Sequence, residues 1–340
     1  GLAAQEGFSP ITTPGGGWRG ALPKGQFLVE WLVLRAGITY LRCGDYSAAC
    51  RRMRRLARWA RPVLKFNWLW SQQNLRLIFG PNLTAAQRRR LATIAFENHF
   101  ISYLEGLRHR DVAFDIHGGE NLLAALAAGK GVILCGAHVG SWEPALSLGA
   151  RQGVPVAVVY RPAQNPWSDR LFQKIRASYD VTWIGSADVG TAFEALRSNK
   201  VLGLMTDLNV TRGGTVADFL GVPARCPSGP ARLALMQQSP IVPAVAIRAS
   251  EGPLQVHFLP AIVPPKNDDT EGQVRSITRR INAALEPWVL EYAEQYNWLH
   301  PRWRCRPDGR QLALGASDEM LMAERTAPFL DVPDRVRALL

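Results

Sequence analysis

Residues 131–144 read GVILCGAHVGSWEP. The run Val132, Ile133, Leu134, Cys135 is continuously apolar and bounded by glycines, the mark of a strand covered on both faces. His138 stands at its C-terminal end, where open α/β sheets place their chemistry. Gly140 permits a tight turn, and Trp142 and Glu143 open the next helix. The His-x4-Glu spacing lets Glu143 come back to the imidazole. A carboxylate on one ring nitrogen fixes the tautomer and stabilises the imidazolium, leaving the other nitrogen as a general base. This is the histidine–acid half of a triad without its serine, so the nucleophile is a substrate hydroxyl or water. The competing reading is a structural histidine. The spacing is not that of HExxH, which argues against a metal.

The same texture extends downstream. Apolar segments alternate with amphipathic ones from VAFDIHG through GENLLAALAAGK, VPVAVVYR, NPWSDRLFQKIRASY, VTWIGS, VGTAFEALRSNK, VLGLMTDL and SGPARLALMQQ to PIVPAVAIRA and LQVHFLP. Strands joined by crossover helices give an α/β fold: a largely parallel central sheet flanked by helices. A closing helix is expected over roughly 268–296. Upstream, TAAQRRRLATIAFENHFISYLEGLRHR is expected to be a helix capped by Thr84. Neither a GxGxxG nor a P-loop fingerprint is present.

The chain has 340 residues, 40 Lys and Arg against 28 Asp and Glu, and a net charge of +12, which points to an anionic partner. No helix-turn-helix, RNP or zinc-finger pattern supports nucleic acid. The five cysteines are odd in number and widely spaced, and read as free thiols. Residues 1–24 read as a flexible Gly/Pro-rich leader. Residues 25–42 are apolar but interrupted by Glu30 and Arg35, too short and charged for a span of roughly 20 residues. In residues 50–80, Met53, Leu56, Ala57, Ala60 and Leu64 fall on one helical face, and Arg51, Arg54, Arg55, Arg58 and Arg61 crowd the rest. With Trp59, Trp68 and Trp70 nearby, this fits a membrane-surface helix whose apolar stripe enters the interface. A helix packed on the core with a solvated basic face fits equally. The expected organisation is a leader (1–24), an amphipathic helical membrane-associating region (25–110), an α/β domain (111–310) and an extension (311–340).

Four ordered blocks carry a resemblance: HVGSWE, YRPAQNPWSDRLFQKIR, TDLNVTRGGTVADFLGVPARCPSGPARLAL and NWLHPRWRCRP. Together they resemble the bacterial lipid A biosynthesis (late lauroyl/myristoyl) acyltransferases of the lysophospholipid acyltransferase superfamily, over roughly residues 25–310. Val139 and Ser141 depart from the family's common Phe-Gly-Asn-Trp-Glu. Asp207-Leu208 stands where Asp-Gln is common, which removes a polar contact expected there.

The resemblance implies transfer of a fatty acyl chain from acyl carrier protein or coenzyme A to a hydroxyl of a lipid A precursor. It implies no cofactor and a monotopic or peripheral place on the cytoplasmic face of the inner membrane. His138 would be the general base, held by Glu143, with no acyl-enzyme. Arg161, Asp207, Arg212, Gly213 and Gly214 are the candidate substrate- and oxyanion-binding residues. Arg161 and Asp207 have a structural ion-pair role as the alternative, and Gly213 and Gly214 a turn-setting one. Arg51, Arg54, Arg55, Arg58 and Arg61 would meet the membrane or an acidic carrier protein. The alternatives are another glycolipid acceptor, such as a phosphatidylinositol mannoside, and a catalytically silent basic membrane- or nucleic-acid-binding protein.

Overall fold

The strand that carries His138 lies at the centre of the molecule. In the computed structural model, which describes residues 24–211, 213–249, 252–266 and 270–340, nine strands form two sheets. They are β1 (Phe114–His117), β2 (Val132–Gly140), β3 (Val156–Tyr160), β4 (Thr182–Gly185), β5 (Val201–Met205), β6 (Thr215–Phe219), β7 (Val222–Cys226), β8 (Ile241–Arg248) and β9 (Leu254–Phe258). The main sheet has seven strands in the order β1-β9-β8-β2-β5-β3-β4, and all its pairings are parallel except β8 with β9. β6 and β7 form a separate antiparallel hairpin. From the sequence, no strand is expected in that stretch. Its two-residue bend, Leu220 and Gly221, has positive φ at both positions, as a tight hairpin requires.

The helices are α1 (Lys24–Arg42), α2 (Tyr46–Ala60), α3 (Lys65–Phe79), α4 (Ala85–Leu107), α5 (Gly119–Leu126), α6 (Trp142–Arg151), α7 (Pro166–Arg176), α8 (Val189–Arg197), α9 (Gly229–Gln237), α10 (Thr270–Glu291), α11 (Asp318–Ala323) and α12 (Asp334–Arg337). Thr84 caps α4 in a full capping box with Gln87. The leader expected before α1 lies outside the described residues.

β2 divides the interior. Ile133, Cys135, Ala137 and Val139 enter the large core, which also takes Leu75 and Ile78 of α3, Leu91 of α4, and Ile277 and Ile281 of α10. The alternate residues Leu134, Gly136 and His138 line a cavity on the other face. One face of the sheet is therefore sealed and the other left partly hollow. The tail beyond residue 305 belongs to the sealed side: Leu312, Leu321, Val332 and Val336 join the same core, and Gln73 of α3 accepts from the Gly315 amide.

Of the two readings of the α2 stripe, the structure has the packed one. Ala49, Met53 and Ala57 are buried, and α2 packs on α4, with Ala49 and Met53 against Ile101 and Leu104. The two alanines let the helices approach closely, so this apolar face is spent inside the protein. The apolar side chains left exposed are elsewhere: Leu28, Val29, Leu32 and Val33 on α1, and Trp59, Val63, Phe66 and Leu69 around the α2–α3 junction. Among the described residues no helix is long and apolar enough to cross a membrane.

At the end of β2 the register against β8 shifts: Gly136 faces Ala244, but Gly140 faces Ala246. The extra residues bulge around His138. Gly140 closes the bulge at φ 68°, and a Cβ there would run into the Ala246 carbonyl. That carbonyl accepts from the Ser141 amide at 2.7 Å. Gly153 has almost the same φ, 69°, with nothing within 4 Å of a built Cβ. Gly153→Ala is therefore expected to cost about 1 kcal/mol of backbone strain, and Gly140→Ala at least about 2 kcal/mol more through the collision. Chemical denaturation of both variants checks the difference; equal losses would refute the close approach.

Candidate active site

Two adjacent parallel strands assemble the site. Gly136 of β2 faces Met205 of β5, and both chains run two residues further to His138 and Asp207. Asp207 Oδ1 lies 2.7 Å from His138 Nδ1, and Asp207 Oδ2 accepts from the His138 backbone amide at 2.9 Å. One carboxylate thus fixes both the ring and the backbone that carries it. With Nδ1–H donating to Asp207, Nε2 is left with its lone pair as the basic nitrogen. The Trp142 ring packs edge-on to the imidazole, with centroids 4.8 Å apart.

Asp207 is 4% exposed. Burial pulls its carboxyl upward, but the charge of His138, the two hydrogen bonds from that residue and the charge of Arg302 outweigh burial and bring it down to about 2. Behind Asp207 the chain is held from the tail. Arg302 donates to the Leu208 carbonyl at 3.1 Å, and the Asn209 amide donates to His300 Nε2 at 2.9 Å.

Glu143 does not reach the imidazole, which corrects the expected pairing. β2 continues through His138 to Gly140, so α6 starts at Trp142 and points Glu143 towards α7. There Glu143 Oε1 pairs with Arg176 Nε at 3.0 Å. The Arg176 guanidinium is ringed by Trp183, Tyr160 and Phe172, at 4.6, 5.3 and 6.0 Å from their centroids. The acid on His138 is Asp207, two residues beyond β5.

The cavity measures about 560 Å³. Its walls are apolar, with Leu122, Leu134, Leu146, Val158, Val256 and Phe258 prominent, and its polar end gathers His138, Glu143, Arg161 and Arg176. The far end reaches Ile116 and Leu123, which are 41% and 60% exposed. An apolar channel with a polar end suits an amphiphile.

Gly213 and Gly214 have φ of 65° and 77° and shape the turn before β6; neither lines the cavity. Arg212 lies outside the described residues. Arg51, Arg54, Arg55, Arg58 and Arg61 are exposed on and just after α2. Arg58 and Arg54 pair with Glu97 at 2.8 and 3.4 Å, and Arg61 lies 5.0 Å above Trp68. The sequence reading missed Arg302 altogether. Its only signal was an arginine in a Trp-rich tail, which says nothing of burial.

The Asp207 contact has a consequence for stability. Its folded value, about 2, lies below the ordinary 3.8. It therefore stabilises the fold above pH 3.8, and that contribution is lost as pH falls through 2. The span corresponds to about 2 kcal/mol. Between pH 5 and pH 2, the wild type should lose about that much more unfolding free energy than Asp207→Asn. Parallel urea titrations at the two pH values test this, and equal losses would contradict the buried ionised carboxylate.

Comparison with known proteins adds a second line. Residues 21–305 match the family described as bacterial lipid A biosynthesis acyltransferase. The chain is 29% identical over 210 residues to the phosphatidylinositol mannoside acyltransferase of Mycobacterium tuberculosis, covering 59% of this chain and 64% of that protein. The chain thus spans a little under two thirds of that relative's length. It is 29% identical over 297 residues to the lipid A biosynthesis lauroyltransferase of Escherichia coli, covering 83% and 90%. It is 24% identical over 309 residues to the lipid A biosynthesis palmitoleoyltransferase of the same organism, covering 84% and 97%. With the histidine on its parallel strands and a family match over most of its length, the chain belongs to the bacterial lipid A biosynthesis acyltransferases.

Proposed function

We propose that this protein is an O-acyltransferase. It moves a fatty acyl chain from a thioester of acyl carrier protein or coenzyme A to a hydroxyl of a lipid A precursor or a related glycolipid. The observation that carries this reading is the His138–Asp207 pair at the polar end of an apolar cavity. The relatives' names supply both glycolipid classes as acceptors.

The steps on this reading are these. The acyl chain lies in the apolar channel, with its thioester carbonyl at the polar end. Nε2 of His138 takes the proton of the acceptor hydroxyl, and Asp207 stabilises the resulting imidazolium. The alkoxide adds to the carbonyl, and Arg161 is the cation placed to meet the developing oxyanion. Collapse breaks the carbon–sulfur bond, and the imidazolium returns its proton to the leaving thiolate. An acyl-enzyme is not required. Cys135 projects to the opposite face of β2, and burial pushes its thiol well up.

The acceptor is a membrane lipid, and the exposed apolar residues of α1 and the α2–α3 junction supply a face for the bilayer. Arg51, Arg55 and the other arginines beside it suit anionic headgroups, each adding about 1 kcal/mol near such a surface. On this reading the protein sits peripherally on the cytoplasmic leaflet. Nucleic acid has no place in it.

The first test is mass spectrometry of lipids after incubating the protein with an acyl thioester and, separately, a lipid A precursor and a phosphatidylinositol mannoside. One added acyl mass on either lipid, absent with His138→Ala, is expected. Acyl transfer that persists in His138→Ala, or no transfer to any glycolipid, would defeat the proposal. Asp207→Asn should lower kcat by about 10³–10⁴-fold, since the amide favours the wrong tautomer. Glu143→Gln should cost far less, because its partner is Arg176. If the Glu143 variant proves the more damaging, Asp207 is not the group that holds the base.

A further inference from the structure

The carboxylate that holds His138 is itself a buried anion, and a buried anion needs a countercharge or it takes a proton. The groups facing the His138–Asp207 pair come from five elements. The tail contributes Tyr296, His300 and Arg302; β7 contributes Cys226; α4 contributes His99; and α6 with α7 contributes the Glu143–Arg176 pair. Arg248, beyond His99, is neutralised by Glu105 at 2.7 Å. Burial, with the charges of His138 and Arg248 behind it, brings His99 to about 3; burial outweighs the opposing charge of Asp207 and brings His300 to about 4, so both are neutral imidazoles at ordinary pH. Among the described residues, Arg302 is the one of these groups whose charge ordinary pH cannot remove and which no carboxylate pairs with directly.

Arg302 is 1% exposed. Its guanidinium donates to the Leu208 carbonyl at 3.1 Å, the Arg225 carbonyl at 2.8 Å and Cys226 Sγ at 2.9 Å. Each acceptor is formally neutral. A whole positive charge is thus held in the core, on the carbonyl of the residue after Asp207, without an ion pair among the described residues. Tyr296 approaches from the same segment. Its backbone bridges Val139, and the next amide, of Asn297, donates to the His138 carbonyl at 2.9 Å. Its side chain is buried, and burial first, then the charge of Asp207, push its hydroxyl pKa well up.

We propose that residues 296–302 are a positioning element for the catalytic pair. Arg302 is the fixed countercharge of Asp207, and with the Tyr296 hydroxyl it keeps that carboxylate an acceptor only. The consequence is set by where one proton sits. While Asp207 is ionised it accepts from Nδ1–H, and Nε2 is free to take a proton from the acceptor. If Asp207 held a proton, it would donate to Nδ1, the ring proton would move to Nε2, and the base would be lost. Neither Arg302 nor Tyr296 touches the substrate; both act through Asp207. This role rests on the reading of His138 as the base, and its test is chosen to separate the two.

The experiment uses the full chain labelled with ¹⁵N-histidine, with His138→Gln to assign the signal. The variants are Arg302→Met, Arg302→Lys and Tyr296→Phe. In the wild type at neutral pH the proton is expected on Nδ1. On acidification, Arg302→Met and Tyr296→Phe should lose the Nδ1 proton signal at a higher pH than the wild type does, and Arg302→Lys should restore the wild-type midpoint at least partly. In parallel, kcat should fall about tenfold or more in the first two, with the KM for the acyl thioester little changed because the channel walls are untouched. If Arg302→Met fails to fold, Tyr296→Phe, which removes a single oxygen, decides alone. Folded variants that keep both the wild-type midpoint and kcat overturn the positioning role. A wild type that already carries the proton on Nε2 overturns the reading of His138 as the base instead.

Discussion

The contact between Asp207 and His138 is the constraint on which the site depends. It exists because β2 and β5 are neighbours in a fixed parallel register, and because β2 bulges at Gly140 without leaving the sheet. A slip of one residue in that register would turn one of the two side chains to the sealed face of the sheet. The carboxylate spans two donors of the same residue, the ring and the backbone amide. It therefore fixes the direction of the imidazole as well as its tautomer. Trp142 closes the remaining side and leaves the ring little freedom.

The N-terminal helices show how an amphipathic pattern can mislead about its partner. The stripe on α2 is real, but it is satisfied by α4, and two of the flanking arginines are tethered to Glu97. What remains for a bilayer is a broader and less regular surface, built from α1 and the α2–α3 junction. Periodicity reports that a face is buried, and it does not report against what.

Much of the fold was legible for a local reason. The strands of the sheet interior are continuous apolar runs, and their helices carry clear periods and caps, as Thr84 illustrates. His138 could be placed because glycines and an apolar run frame it. Its partner could not, because the order of strands in a sheet is a long-range property. Sixty-nine residues separate His138 from Asp207, while Glu143 lies close in sequence and carries the right chemistry. Sequence proximity favoured the wrong acid. The hairpin β6–β7 was hidden by Pro223 and by the glycines that precede it, which read as a loop. The burial of Arg302 had no local signature at all, since it follows from tail and strand meeting in space.

The hollow face of the sheet bears on how the molecule exists between turnovers. Strands that elsewhere in the protein are covered on both sides here present Leu134, Val158 and Val256 to an open channel. A hydrocarbon chain entering it removes apolar wall from water as a packed helix would, and so serves as an interchangeable layer of core. On the proposed function, loading a donor and folding are thereby thermodynamically linked. The protein without a chain in the channel is the less cohesive form, and any long-chain amphiphile of suitable width, substrate or not, competes for the same stabilising place.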